Sequence, residues 1–119
     1  MQIGVLTVLY NELPFMHVLD RLKTLGISAI EIHTGTYAEN NHLDLDRLLE
    51  NKADREAYLK ELNERDMFIS ALSCHGNPLH PDPKIARIAD EKYRKTVQLA
   101  MLLEVPVVNT FSGLPAGCK

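Results

Sequence analysis

Apolar and polar residues alternate along the chain with two periods, one of two residues and one of about 3.6. Residues 3–8, IGVLTV, are a short β-branched run that predicts a strand, and NELP behind it offers Asn11 as a cap with Pro14 near the first helical turn. Phe15, Val18, Leu19, Leu22 and Leu25 then fall at helical spacing, and Gly26 closes that helix. In residues 28–35, SAIEIHTG, Ile30 and Ile32 share one face and Glu31 and His33 the other, as on a strand. A polar loop leads to residues 45–66, where Leu48, Leu49, Tyr58, Leu59 and Leu62 predict one helix or two short ones in series. Residues 67–75 read as a third strand and 105–113 as a fourth, with LPAGCK trailing behind. Between them residues 81–104 form the longest helix, with Ile85, Ile88, Ala89, Val97, Ala100, Met101 and Leu103 on one stripe.

The order is βαβαβαβ, which calls for parallel strands joined by right-handed crossovers. Two architectures fit: an open doubly wound sheet, or part of a (β/α)₈ barrel. Inner strands of an open sheet are covered on both faces and read apolar throughout. Here Glu31, His33, Ser73, His75 and Asn109 lie opposite Ile30, Ile32, Leu72 and Val108, so the polar face is expected to line a barrel lumen near its mouth. A complete barrel takes about 250 residues. The 119 residues supply four strands and three helices, and residues 1–119 read as a single incomplete α/β domain of (β/α)₈ TIM-barrel type, a half-barrel without repeat or linker.

Composition narrows the partners. Hydrophobic residues make up 45% and charged residues 24%, an ordinary globular balance. A net charge of −3, with no Lys/Arg cluster interleaved with aromatics, argues against nucleic acid. Cys74 and Cys118 lack C-x-x-C spacing and are too few for a disulfide framework, which points to a reducing compartment. No run approaches the roughly 18 apolar residues of a membrane helix, and Met1-Gln2 leads into a strand without a basic segment, so the expectation is a soluble, cytoplasmic chain with no membrane partner.

The chemistry concentrates in residues 70–86, SALSCHGNPLHPDPKIA. His75 falls at the C-terminal edge of the third strand, where barrel enzymes place their working residues. An imidazole there can polarise a sugar oxygen or carry a proton near neutral pH, and the alternative is a ring that only caps the turn. Cys74 points to the opposite face, so a thiolate–imidazole dyad is not expected and Cys74 reads as a small buried residue. His80 and Asp82 lie in a loop broken by Pro78, Pro81 and Pro83, without the fixed spacing of a metal motif, and Asp82 is placed to cap the long helix. Glu31 and His33, about 7 Å apart along one strand face, can orient a polyol or support a metal ligand, or else fill the lumen with a hydrogen-bond network. Asn109, Ser112 and Gly113 can hydrogen-bond a hydroxyl or phosphate. His17 and His42 read as solvated surface residues. No G-x-G-x-x-G, P-loop, G-x-S-x-G or zinc spacing is present.

IEIHTG, ISALSCHGNPLHPD and NTFSGLPAG, in that order and separated by helices, resemble the sugar phosphate isomerase/epimerase family, the xylose-isomerase-like TIM barrels. The resemblance spans nearly the whole chain. It implies an enzyme that isomerises, epimerises or dehydrates a small sugar, polyol or sugar phosphate through an enediolate, using a divalent metal (Mn or Mg) and a carboxylate pair. It would place His75 beside the substrate, with Glu31 lining the same cavity. His75 is the candidate catalytic residue, and Glu31, His33, Asn77, Asn109 and Ser112 are the candidate substrate contacts. In that family the metal ligands lie mainly on later strands, so no metal ligand is assigned to this chain. The chain is therefore expected to be the N-terminal half of such an enzyme, inactive alone. A lyase of the inosose dehydratase type is the nearest enzyme alternative, and an inactive half-barrel or assembly module is the alternative of another class. The apurinic-site endonuclease branch is disfavoured by the lack of a basic surface. Unpaired edges at Val5 and Val107 predict self-association or pairing with another half.

Overall fold

A computed structural model describes residues 3–38 and 40–115. Its elements are β1 (Gly4–Leu6), a 3₁₀ turn (Thr7–Tyr10), α1 (Phe15–Thr24), β2 (Ala29–His33), α2 (Leu45–Glu50), α3 (Lys52–Asn63), β3 (Phe68–Cys74), α4 (Pro83–Leu102) and β4 (Val108–Thr110). All strand pairs are parallel and the sheet order is β1-β2-β3-β4, so each strand lies beside its neighbour in the chain. A sequential order of this kind, built with right-handed crossovers, keeps every helix on one face and curls the sheet the way a barrel curls. The doubly wound alternative needs a reversal of strand order, and the described sheet has none. The fold is that of half a (β/α)₈ barrel. Its helix side is apolar: Leu22, Ile30, Ile32, Leu62, Leu72 and Leu99 are fully buried there. Truncating any of the leucines among them to alanine should cost about 2–5 kcal/mol.

Three helix ends repeat one device. Gly26, Asp66 and Glu104 all have positive φ (72°, 56° and 56°). The next residue in each case donates its N–H back into the last helical turn: Ile27 to the Leu22 carbonyl (3.0 Å), Met67 to Leu62 (3.0 Å) and Val105 to Ala100 (2.9 Å). This 6→1 bond turns the chain out of the helix and delivers an apolar residue at the start of the next strand segment.

Several elements differ from the sequence pattern for identifiable reasons. The first strand covers only residues 4–6, because only Gly4, Val5 and Leu6 find partners, in Ala29, Ile30 and Glu31, before the chain tightens into the 3₁₀ turn. The fourth strand covers 108–110 and pairs only with residues 72–74 of β3. Asn11 does not cap α1. Pro14 is the N-cap, and Asn11 binds the loop after β2 instead, its side-chain oxygen accepting from the Asn41 N–H (3.1 Å) and its carbonyl from the Asn41 side chain (3.0 Å). Residues 45–66 resolve into two helices because Asn51 is extended and caps the second, accepting from the N–H groups of Ala53 (2.9 Å) and Asp54 (3.3 Å).

α4 is rotated from its predicted stripe. Ala89, Thr96, Leu99 and Ala100 are buried, whereas Ile85, Ile88 and Met101 are exposed. Thr96 takes a core seat because its hydroxyl pairs with that of Thr34 (2.8 Å). His42 is not a surface residue. Asn40 turns the loop inward by accepting from the N–H groups of His42 (3.1 Å) and Leu43 (3.2 Å). His42 is thereby only 4% exposed, with its Nε2 3.0 Å from the Leu13 carbonyl and its ring against Phe15. His17 is exposed, as expected. Among the described residues no helix is long and apolar enough to cross a membrane. The readings of Met1-Gln2, of Cys118 and of the end of LPAGCK lie outside the described residues.

The positive-φ positions give a stability test. Asp66 and Glu104 occupy a conformation that costs an L-residue about 1–2 kcal/mol and a glycine nothing. Asp66→Gly and Glu104→Gly should each raise the unfolding free energy by about 0.5–1 kcal/mol after the glycine's extra unfolded-state entropy, as read by urea denaturation. A loss of stability in both would contradict the geometry.

Candidate functional site

The concave face of the sheet carries two layers of side chains. In the lower layer the Glu31 carboxylate of β2 accepts hydrogen bonds from the Ser73 hydroxyl of β3 and from the Asn109 side-chain amide of β4 (3.2 Å). Two residues further along each strand, on the same face by the period of a strand, come His33, His75 and Phe111. The ring of His75 lies 4.2 Å from that of Phe111, stacked at 17°, and 6.2 Å from that of His33. Glu31 thus belongs to a polar floor and His75 to a ring layer above it, at the carboxyl ends of the strands.

The ladder continues beyond β2 and β3 and sets the height of His75. Thr34 N–H donates to the Ser73 carbonyl (2.8 Å) and Thr36 N–H to the His75 carbonyl (3.1 Å). Between them Gly35 passes so close that a methyl group in its place would sit 2.4 Å from the His75 carbonyl oxygen and 2.5 Å from its nitrogen. No side chain fits there without displacing His75. The His75 Nδ1 is buried and has no hydrogen-bond partner among the described residues. A ring that only capped its turn would spend this nitrogen on the turn's own N–H groups, and it does not.

His33 is 3% exposed, and its Nε2 accepts from the Ala38 N–H (3.4 Å). Burial holds its imidazole below the usual histidine range, and the neighbouring His75 and Lys92 push the same way. It stands as a neutral, acceptor-bearing ring. Asn77 lies at the rim: its side-chain oxygen accepts from the N–H groups of Leu79 (3.1 Å) and Leu114 (2.8 Å), and its amide donates to the Leu114 carbonyl (3.0 Å). One amide hydrogen is left over. Ser112 is exposed beside it.

His75, Asn77 and Ser112 line a cleft of about 690 Å³, together with Tyr37, Thr110 and Phe111 among others. A larger cleft of about 1090 Å³ lies among the loop after β2, α2, α3 and α4. Charged groups in that cleft are largely spent on one another, Arg47 on Asp54 and Lys95 on Asp46. The smaller cleft is lined by the ring-bearing residues His75 and Phe111 and is the better candidate site.

Glu31, His33, His75 and Asn109 therefore share one face of the sheet, and His75, Asn77 and Ser112 line the cleft, whereas Glu31, His33 and Asn109 are not among the residues that line it. His80 and Asp82 stand outside. The Asp82 N–H donates to His80 Nδ1 (3.0 Å), and Asp82 caps α4 by accepting from Lys84 N–H (2.8 Å). Ser73, placed on the lumen face by its spacing of two from His75, serves the floor as a donor. Phe111 and Gly35 are site-building residues that the chemistry-bearing residue types did not reveal, and for Phe111 the signal was present in its spacing of two from Asn109. The described residues do not fit a resident metal ion: no three His, Cys, Asp or Glu side chains converge, and one Glu31 oxygen already serves Ser73 and Asn109.

No family model matches the chain. It is 38% identical over 117 residues to the uncharacterized protein YfiH of Bacillus subtilis (strain 168), a match covering 98% of the chain and 37% of that protein. It is also similar to the crystal structure of the probable 3-DHS dehydratase AsbF, involved in petrobactin synthesis, from Bacillus anthracis. That match has a TM-score of 0.66 and 17% identity, and covers 95% of this chain and 39% of the other. The chain thus spans little more than a third of the length of either relative, and the structural likeness shows the fold.

The buried His33 predicts a pH dependence. Its folded-state value lies below the unfolded value of about 6.5, so as pH falls the unfolded chain takes up the proton first. The stability contributed by neutral His33 is complete above about pH 6.5 and is lost as pH falls towards the folded-state value, with a slope of at most about 1.4 kcal/mol per pH unit. Urea denaturation across about pH 5 to 8 should show His33→Gln, which keeps an acceptor for Ala38, with a shallower slope than the parent. Identical slopes would contradict the burial of a neutral ring.

Proposed function

We propose that these residues are the N-terminal part of a xylose-isomerase-like barrel enzyme that moves a C–H proton on a small sugar, polyol or sugar phosphate, as an isomerase or epimerase. One observation carries the reading: the His75 imidazole stands at the carboxyl end of β3 with a shielded, unpartnered Nδ1, directly above a carboxylate-centred polar floor. The carboxyl ends of barrel strands are where substrates bind, and an imidazole can take or give a proton near neutral pH.

In this reading a base outside the described residues takes the proton from a substrate carbon while His75 gives one to the neighbouring oxygen, and both are returned when the C–H bond is remade. Returning the carbon proton to the adjacent carbon isomerises, and returning it to the opposite face epimerises. The Glu31 floor accepts from a substrate hydroxyl, while Asn109, Ser112, the remaining Asn77 amide hydrogen and the ring N–H of neutral His33, whose Nε2 is taken by Ala38, supply donors. A divalent metal, Mn or Mg, would be held by residues outside those described, because the donor set here does not fit one.

A dehydratase is the second reading, favoured by the likeness in fold to a probable 3-DHS dehydratase. It begins with the same loss of a C–H proton and ends with loss of the β-hydroxyl as water instead of reprotonation at carbon.

The test is solvent exchange. The whole polypeptide carrying residues 1–119 is incubated in D₂O with a panel of aldoses, ketoses, cyclic polyols and their phosphates, and followed by proton NMR. Deuterium should enter at carbon, and His75→Gln should slow its entry by about 10²–10⁴-fold. Products keeping every hydroxyl identify the isomerase or epimerase, and products lacking one identify the dehydratase. Exchange unaffected by His75→Gln, or none across the panel, would overturn the proposal.

A further inference from the structure

Phe111 lies on the segment after β4 and is about half exposed, so burial does not hold its ring in place. It nevertheless lies flat on His75, at 4.2 Å and 17°. This stack and the edge-on contact of Phe111 with the exposed Tyr37 ring (6.3 Å, 82°) are together worth less than the conformational entropy of ordering the segment that carries it. Something else must fix the segment.

The chain on either side of Phe111 is stitched to the segment after β3. Before the ring, the Thr110 hydroxyl donates to the Cys74 carbonyl (2.9 Å). After it, Asn77 binds both main-chain groups of Leu114, accepting from its N–H (2.8 Å) and donating to its carbonyl (3.0 Å), as a neighbouring strand would. The same Asn77 oxygen accepts from the Leu79 N–H (3.1 Å), so one side chain orders both loops at once. Gly113 makes the approach possible. Its φ is +97°, and a methyl group on it would sit 3.0 Å from the Asn77 oxygen.

We propose that Asn77 is the positioning residue of the His75 site: by clamping Leu114 it holds the Phe111 ring over the imidazole and so sets the ring plane and shields one side of it. Its functional weight rests on the reading of His75 above. The ring geometry does not, so the clamp and the reaction fail separately.

The experiment is proton NMR of the chain itself, following the His75 ring protons, which a stacked phenyl moves upfield. Phe111→Leu gives the unstacked reference. Asn77→Ala should lose most of the upfield shift, and Asn77→Asp, which keeps the acceptor for Leu79 and Leu114, should recover much of it. A residue serving stability alone would lower the melting temperature and leave the ring shift in place. Leu114→Pro guards against an unfolded Asn77→Ala, because it removes one clamping N–H at an exposed position and should also lose the shift. Retention of the shift in Asn77→Ala or, if that variant does not fold, in Leu114→Pro would overturn the proposal.

Discussion

A carboxylate on the concave side of the sheet, bound by neutral donors from the next two strands, is the constraint around which the site is arranged. Glu31 has no ion-pair partner among the described residues, and the Ser73 hydroxyl and Asn109 amide take its place. A half-buried carboxylate needs such donors, and these two reach it only if β2, β3 and β4 keep one register. The register shift between Ile30 and Glu31, where β2 pairs with β3, lies at this point. With the floor so placed, the next residues on the same face are the three rings of His33, His75 and Phe111.

Above the floor the work passes to the connecting segments. Gly35 brings the exit of β2 into van der Waals contact with the main chain of His75, and the Thr34 and Thr36 N–H groups extend the ladder past both strands. Behind the sheet the Thr34–Thr96 hydroxyl pair ties that same exit to α4. His75 is therefore held by backbone on one side and by a clamped aromatic ring on the other, while its Nδ1 stays uncommitted. A rigid mount with one free polar atom is the arrangement that acid–base chemistry and tight positioning of a hydroxyl both require.

The parallel order, the half-barrel form and the polar lumen face were legible because two-residue alternation in SAIEIHTG and in the stretch before His75 survives folding unchanged. The placement of Asp82 as a cap was legible for a similarly local reason. What could not be read were seats decided by side chains bonding distant backbone. Asn11 spends itself on Asn41 instead of α1, Asn40 turns His42 into the core, and Thr96 takes a buried seat through Thr34. Gly35 carries no local sign of its role, since its constraint exists only once β2 and β3 are side by side. The two-way bond between Asn77 and Leu114 likewise depends on the pairing of β3 with β4.

The central claim is that this face supplies acid–base and hydrogen-bonding groups and leaves any metal to residues elsewhere. Isothermal titration of manganese into the 119-residue chain tests it most directly, with Glu31→Gln and His75→Ala as controls. The account predicts no stoichiometric binding, with the parent and both variants alike. One-to-one binding that disappears in either variant would show that Glu31 and His75 build a metal centre of their own, and would contradict it.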